Sequence, residues 1–151
     1  MRRDVRQASS PRQWPGSSHR VRFSADIAPQ LHALLVIGYQ HGGGSVAPYE
    51  AWSSKCATGP ESDPSLWIIA ADEHGLIGAA HCWTSAFIRD LVVHPRARRQ
   101  GLAQALLSHA FHQFHLRGEA SVDLNVLETN HAARCLYETS GMSYVQRSAV
   151  D

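Results

Sequence analysis

Cysteine is scarce. Cys56, Cys82 and Cys135 are the only three, odd in number and far apart. They form no CxxC pair and no disulfide framework, which points to a reducing, cytoplasmic setting. Long apolar runs are also missing: LWIIAA and HALLVI are core-sized, far short of the ~18 residues a membrane span needs. Without an apolar central region near the start, no secretory signal is expected. Neither sign of charge dominates, since 14 basic and 13 acidic residues leave a formal net charge of +1. No global field draws such a chain onto nucleic acid or an anionic membrane, and neither is expected as a partner.

The chain of 151 residues suits one domain, and 44% hydrophobic with 18% charged residues is ordinary for a soluble fold. Residues 1–18, MRRDVRQASSPRQWPGSS, have little to bury and read as a disordered basic tail. They faintly resemble an organellar transit peptide but lack its amphipathic apolar face. Residues 19–151 are then the folded domain.

HRVRFS (19–24) alternates as a first strand. Asp26 is placed to cap a helix carrying Ile27, Leu31, Leu34, Leu35 and Ile37, which HGGGS ends. A shorter helix is expected over 47–57. LWIIAA (66–71), the turn DEHG and LIGAAHCW (76–83) form a hairpin, and FIRDLVV (87–93) is the next strand. Residues 100–117 set Leu102, Leu106, Leu107, Ala110, Phe111 and Phe114 on one helical face, ended by Gly118. SVDLNV (121–126) is a strand, Asn130 caps a helix to about Thr139, Gly141 closes it, and SYVQRSAV (143–150) is a last strand. The hairpin argues for a mixed, mostly antiparallel sheet with helices packed on it.

VVHPRARRQGLAQALL (92–107) carries the chemistry. A strand, a basic turn and a helix start bring free N–H groups and the positive end of a helix dipole to one point. Gly101 leaves the approach clear, Ala103 is nearly as small, and Arg96, Arg98 and Arg99 add forked donors. This describes an anion site suited to a pyrophosphate. No Lys-Ser or Lys-Thr follows the glycine, so it is not a P-loop. Read without ligand, the same stretch is a helix start with solvated arginines.

The spacing Arg98-x-x-Gly101-x-Ala103, after VVHP and before LL, resembles the acetyl-CoA pyrophosphate motif of the GNAT superfamily of N-acetyltransferases. LNVLETNHAARCLYETSGM (124–142) is similar to that family's strand–Asn–helix segment, with Asn130, Ala133, Leu136, Tyr137, Gly141 and Met142 at matching positions. DPSLWIIAADEHGLIGAAHCW looks like its central hairpin, so the resemblance spans roughly 19–147. It implies a mixed α/β fold: a central, mostly antiparallel sheet splayed between two strands and flanked by about four helices.

The resemblance also implies a site. Backbone groups of Leu91, Val92 and Val93 would pair with the pantetheine arm of acetyl-CoA between strands 87–93 and 121–126. The amides of Arg99, Gln100, Gly101, Leu102 and Ala103, with Arg98 beside them, would hold the pyrophosphate. Asn130 would reach the same co-substrate, cap a helix, or both. Tyr137 matches the family's general acid, and a backbone N–H on the splayed strand would meet the tetrahedral oxyanion. With a thiol near ~8.5 and a tyrosine near ~10, that proton transfer is uphill by roughly 2 kcal/mol, so the acid helps without being indispensable. For the amine's proton, Asp90 and His81 are candidate bases, Glu128 is a third, and a water-mediated base or none also satisfies the chemistry.

His109, His112 and His115 follow an HxxHxxH spacing, but at ~100° per residue they oppose the apolar face and read as a solvated stripe; no metal is expected. Tyr39, His41, Tyr49, Trp52 and Trp83 fall where an acceptor site would be built. Only ten residues follow Gly141, room for one strand where the family has two. An unpaired edge of that kind invites a homodimer through 143–150. The expectation is a cytoplasmic acetyltransferase moving acetyl from acetyl-CoA to a primary amine of a small molecule or peptide by direct attack. The alternative is a non-catalytic acyl-CoA-binding or sensing module.

Overall fold

The computed structural model describes residues 1–7, 10–40 and 45–146. In chain order the elements are β1 (Arg2–Asp4), β2 (His19–Val21), α1 (Ala28–Gly38), α2 (Tyr49–Thr58), β3 (Trp67–Asp72), β4 (Gly75–Trp83), β5 (Phe87–Val93), α3 (Leu102–Leu116), β6 (Ser121–Asp123) and α4 (His131–Thr139). The strands form one sheet in the order β1-β6-β5-β4-β3-β2. Every neighbouring pair is antiparallel except β5 and β6, which run parallel and meet only at Phe87 and Asp123. This is the mixed, mostly antiparallel sheet with four helices that the sequence implies.

The expected hairpin closes at DEHG, where Asp72 Oδ1 accepts the His74 N–H at 2.9 Å. β3 is buried along Trp67–Ala71 rather than alternating, because helices cover both faces. Leu31, Leu34 and Leu35 of α1 and Trp52 of α2 pack on one face with Trp67, Ile69 and Val92. On the other face lie Leu102, Leu106, Leu107, Ala110, Phe111 and Phe114 of α3, the six residues placed there by periodicity. No described helix is long and apolar enough to cross a membrane.

Some boundaries move. Asp26 does not cap α1, which starts at Ala28 with a proline in its first turn and no side-chain cap. β6 ends at Asp123 rather than at 126, because its ladder with β5 opens after one pair.

The reading of residues 1–18 as a disordered tail is corrected. Arg2–Asp4 pairs with β6, and Ser143 takes the other edge of Arg2 through N–H···O bonds of 2.8 and 2.9 Å. Met1 and Val5 are buried in the α3-side core, and Arg2 forks onto Asp123 at 2.7 and 3.0 Å. MRRDV thus alternates in and out, a pattern its arginines conceal. Residues after Ser143 continue without a strand to 146; 147–151 of the expected last strand lie outside the described residues. Among the described residues, β1 fills the outer edge of β6 from within the chain.

Candidate active site

The basic turn after β5 is a 3₁₀ turn, Pro95–Ala97, followed by two residues of positive φ, Arg99 at 64° and Gly101 at 81°. That left-handed step turns the backbone into α3. No backbone N–H from Arg99 to Gln104 has an acceptor among the described residues. A Cβ built on Gly101 meets no atom within 4 Å, so the space before these amides is open. Arg99, Gln100 and Gly101 are exposed, whereas the side chains of Leu102 and Arg98 are committed elsewhere. Leu102 is in the core, and Arg98 Nε donates to Val93 O at 3.3 Å. Arg96 is not part of the cradle: it forks onto Asp72 at 2.7 and 3.0 Å. The three arginines therefore do three different jobs.

β5 and β6 part above Phe87 and Asp123. His94 donates its N–H to Ile77 O, which sets the phase of the β4–β5 ladder. Val92 then turns its N–H and C=O toward β4, and those of Leu91 and Val93 point into the opening. Asn130 caps α4, its Oδ1 accepting the Ala133 N–H at 3.2 Å, while its side-chain NH2 group has no partner among the described residues.

On β5, Arg89 is an extra residue: His81 pairs with Asp90 and Cys82 with Ile88. The bulge sends Ile88 to the α3 side and Asp90, with Val92, to the α1 side. His81 and Asp90 are thereby both buried and adjacent, Nδ1 3.2 Å from Oδ2. His81 lies flat on Trp67, with ring centroids 3.9 Å apart and planes at 4°. Tyr39, just past α1, donates its hydroxyl to Asp90 Oδ1 at 2.5 Å, and Arg89 Nη1 is 3.3 Å from the same oxygen. Gly38 permits this: a Cβ there would lie 2.6 Å from Val92 Cγ1, so only glycine lets α1 come close enough. Burial alone would raise Asp90's pKa; the bonds from His81 and Tyr39 and the charge of Arg89 outweigh it, holding the carboxyl below its ordinary range. Burial, then the charge of Asp90 and its hydrogen bond, push the Tyr39 phenol up. Asp90 is accordingly ionised and Tyr39 protonated at neutral pH.

Tyr137 of α4 is packed against the α3-side core, and burial raises its pKa. Its hydroxyl bonds to no described residue. Glu128 is exposed in the turn before α4, where its backbone carbonyl accepts from Arg134 Nη1 at 2.9 Å. Among the aromatic candidates, Tyr49 and Trp52 cluster with His32 under α1, and Trp83 stacks on Phe87. His41 lies outside the described residues. Sequence reasoning missed Tyr39 as the partner of Asp90 and Trp67 as the platform for His81. The histidine stripe on α3 is not solvated as expected: Trp14 stacks on His109 at 4.3 Å, and His115 Nδ1 lies 2.7 Å from Val5 O. Among the described residues no group of three ligating side chains is placed to hold a metal.

The profile of the Acetyltransferase (GNAT) family matches residues 29–142. Over 58 residues the chain is 40% identical to the [ribosomal protein bS18]-alanine N-acetyltransferase of Escherichia coli K12, a match covering 38% of this chain and only 39% of that protein. A GCN5-related N-acetyltransferase of Sphaerobacter thermophilus superposes with a TM-score of 0.81 at 23% identity, covering 94% of this chain and 46% of that one. The Escherichia coli ribosomal-protein-S18-alanine N-acetyltransferase structure follows at 0.71 and 20% identity, covering 85% and 79%. These two likenesses bear on the fold. The profile spans most of the chain and shows its family: the protein belongs to the GNAT acetyltransferase family.

Proposed function

We propose that the chain is an N-acetyltransferase that moves acetyl from acetyl-CoA to a primary amine by direct attack, working in the cytoplasm. The observation that carries this reading is the convergence of two backbone surfaces. The free amides Arg99–Gln104 and the inward-facing groups of Leu91, with the Val93 N–H, lie at the same end of β5; the Val93 carbonyl accepts from Arg98 Nε. The first suits a pyrophosphate and the second an extended amide-bearing arm. Bound there, acetyl-CoA supplies an activated acetyl thioester.

The remaining roles belong to side chains. With Asp90 ionised, His81 Nδ1 carries the proton that faces it, leaving Nε2 to take a proton from the amine. Asp90 orients and stabilises the charged ring, and Tyr39 holds Asp90. Leu91 N–H points into the opening, where negative charge on the acetyl oxygen develops. Tyr137, protonated and with an unengaged hydroxyl, donates to the departing sulfur. Asn130 caps α4 with its oxygen and offers its NH2 group to the cleft.

A non-catalytic acyl-CoA-binding module would need the cradle and the opening, but not a buried His–Asp–Tyr network beside them. The acceptor is a primary amine of a small molecule or peptide; the bacterial relative's name records an alanine of a ribosomal protein. Thiol release from acetyl-CoA against a panel of peptides, polyamines and amino acids tests the proposal. Turnover with at least one amine is expected; binding of acetyl-CoA without turnover on any of them favours the binding module.

A further inference from the structure

Behind the cradle, a cavity of ≈ 270 Å³ lies between the N-terminal segment, α3 and the end of α4. We propose that it is a second anion site, built for a phosphate monoester. Its walls include Arg3, Arg12, Gln104, Ser108, Phe111 and Ser140, and no acidic side chain among the described residues lines it. Neither guanidinium meets a carboxylate among the described residues. Arg3 lies over the Phe111 ring at 5.2 Å and donates from Nη1 to Ser140 O at 2.6 Å. Gly141 makes the notch for it, since a Cβ at 141 would stand 2.5 Å from that nitrogen. The Arg12 guanidinium has no partner among the described residues. Its backbone is nevertheless pinned to α3: the N–H donates to Ser108 Oγ at 2.9 Å, and the carbonyl lies 2.9 Å from His109 Nε2.

Two uncompensated guanidiniums around one cavity repel each other unless an anion sits between them. The hydroxyl of Ser140 is buried without a hydrogen-bond partner, which asks for a further acceptor or donor in the same space. A phosphate monoester answers both demands, with nearly two negative charges and three acceptor oxygens. A simple carboxylate offers one charge and two oxygens.

The cavity adjoins the cradle through Gln104. Its N–H is the last free amide of that run, and its side chain lines the cavity. Ser108 stands one helical turn further, about 6 Å along α3. A phosphate one sugar away from a pyrophosphate held in the cradle falls within that reach. The source is therefore either the phosphate monoester on the nucleotide end of CoA or a separate phosphorylated compound.

The test uses the full chain and Arg12→Ala, an exposed side chain whose loss leaves the backbone contacts in place. Inorganic phosphate is titrated at constant ionic strength without CoA, by calorimetry. Saturable binding is expected in the unmodified protein, weakened about ten-fold or more in Arg12→Ala and partly restored in Arg12→Lys. CoA is then compared with dephospho-CoA. A preference for CoA that closes in Arg12→Ala identifies CoA as the source. A CoA-to-dephospho-CoA ratio untouched by a substitution that abolishes phosphate binding identifies a separate compound. Phosphate binding that is absent, or equal in both proteins, together with an unchanged ratio, overturns the site. Because the first arm omits CoA, its failure is separate from any failure of the acetyltransferase reading.

Discussion

Asp90 stands opposite His81 across β4 and β5, its Oδ2 3.2 Å from the ring nitrogen, because Arg89 bulges out of the ladder between them. Were Arg89 held in a regular ladder, Asp90 would share a face with Ile88 and sit in the α3-side core. The pair therefore depends on the bulge at Arg89.

His81→Gln should lower kcat about 10²-fold and abolish or shift the acid limb of the pH–rate profile, with KM for acetyl-CoA little changed. Tyr39→Phe should lower kcat less, since His81 and Arg89 still hold Asp90. Steady-state rates across pH check both. A histidine that only packs on Trp67 would leave the profile's shape unaltered.

Asp90 also links stability to pH. Its folded pKa is depressed, so the stabilisation is fully present above the ordinary carboxylate range near ~4 and drains away as pH falls through the folded value. Urea melts of the wild type should lose stability over that acid window, and Asp90→Asn should flatten the loss contributed by this group.

Gly101→Glu should remove the rise in Tm that acetyl-CoA produces, by placing charge and bulk before the free amides. The positive φ at Gly101 adds a cost of roughly 1–2 kcal/mol for any side chain. Gly101→Ala, carrying only that cost, should keep a substantial part of the shift. Thermal melts with and without acetyl-CoA separate the two effects.

Tyr137→Phe should change stability by less than about 1 kcal/mol, because the hydroxyl bonds to no described residue. If it protonates the sulfur, kcat falls roughly 10²-fold while KM for acetyl-CoA holds. The defect should shrink toward pH ~8.5 and above, where a thiolate leaves unaided. Wild-type kcat throughout would assign the acid to another group.

Val5→Asp should cost several kcal/mol, since the side chain is buried beside β1. A disordered tail would tolerate the change. Denaturant unfolding monitored by circular dichroism distinguishes them.

Much of this protein is legible from local pattern. The α3 face, the β3–β4 hairpin, the Gly101 step and the Asn130 cap each follow from residues within a turn or two of one another. Periodicity and φ preferences act at that range, and the strand–turn–helix cradle is itself a local structure. Tertiary structure decided the rest. MRRDV is too short and too charged to signal a strand, and becomes one only where β6 and Ser143 present two open edges. The covered histidines on α3 depend on the N-terminal residues being docked, His115 on Val5 and His109 on Arg12 and Trp14. Tyr39 and Asp90 are 51 positions apart, and their bond exists because Gly38 lets α1 settle on Val92 while a bulge turns Asp90 to meet it. Composition and spacing name the residues able to do chemistry; which of them touch is set by long-range packing, on which local pattern carries no information.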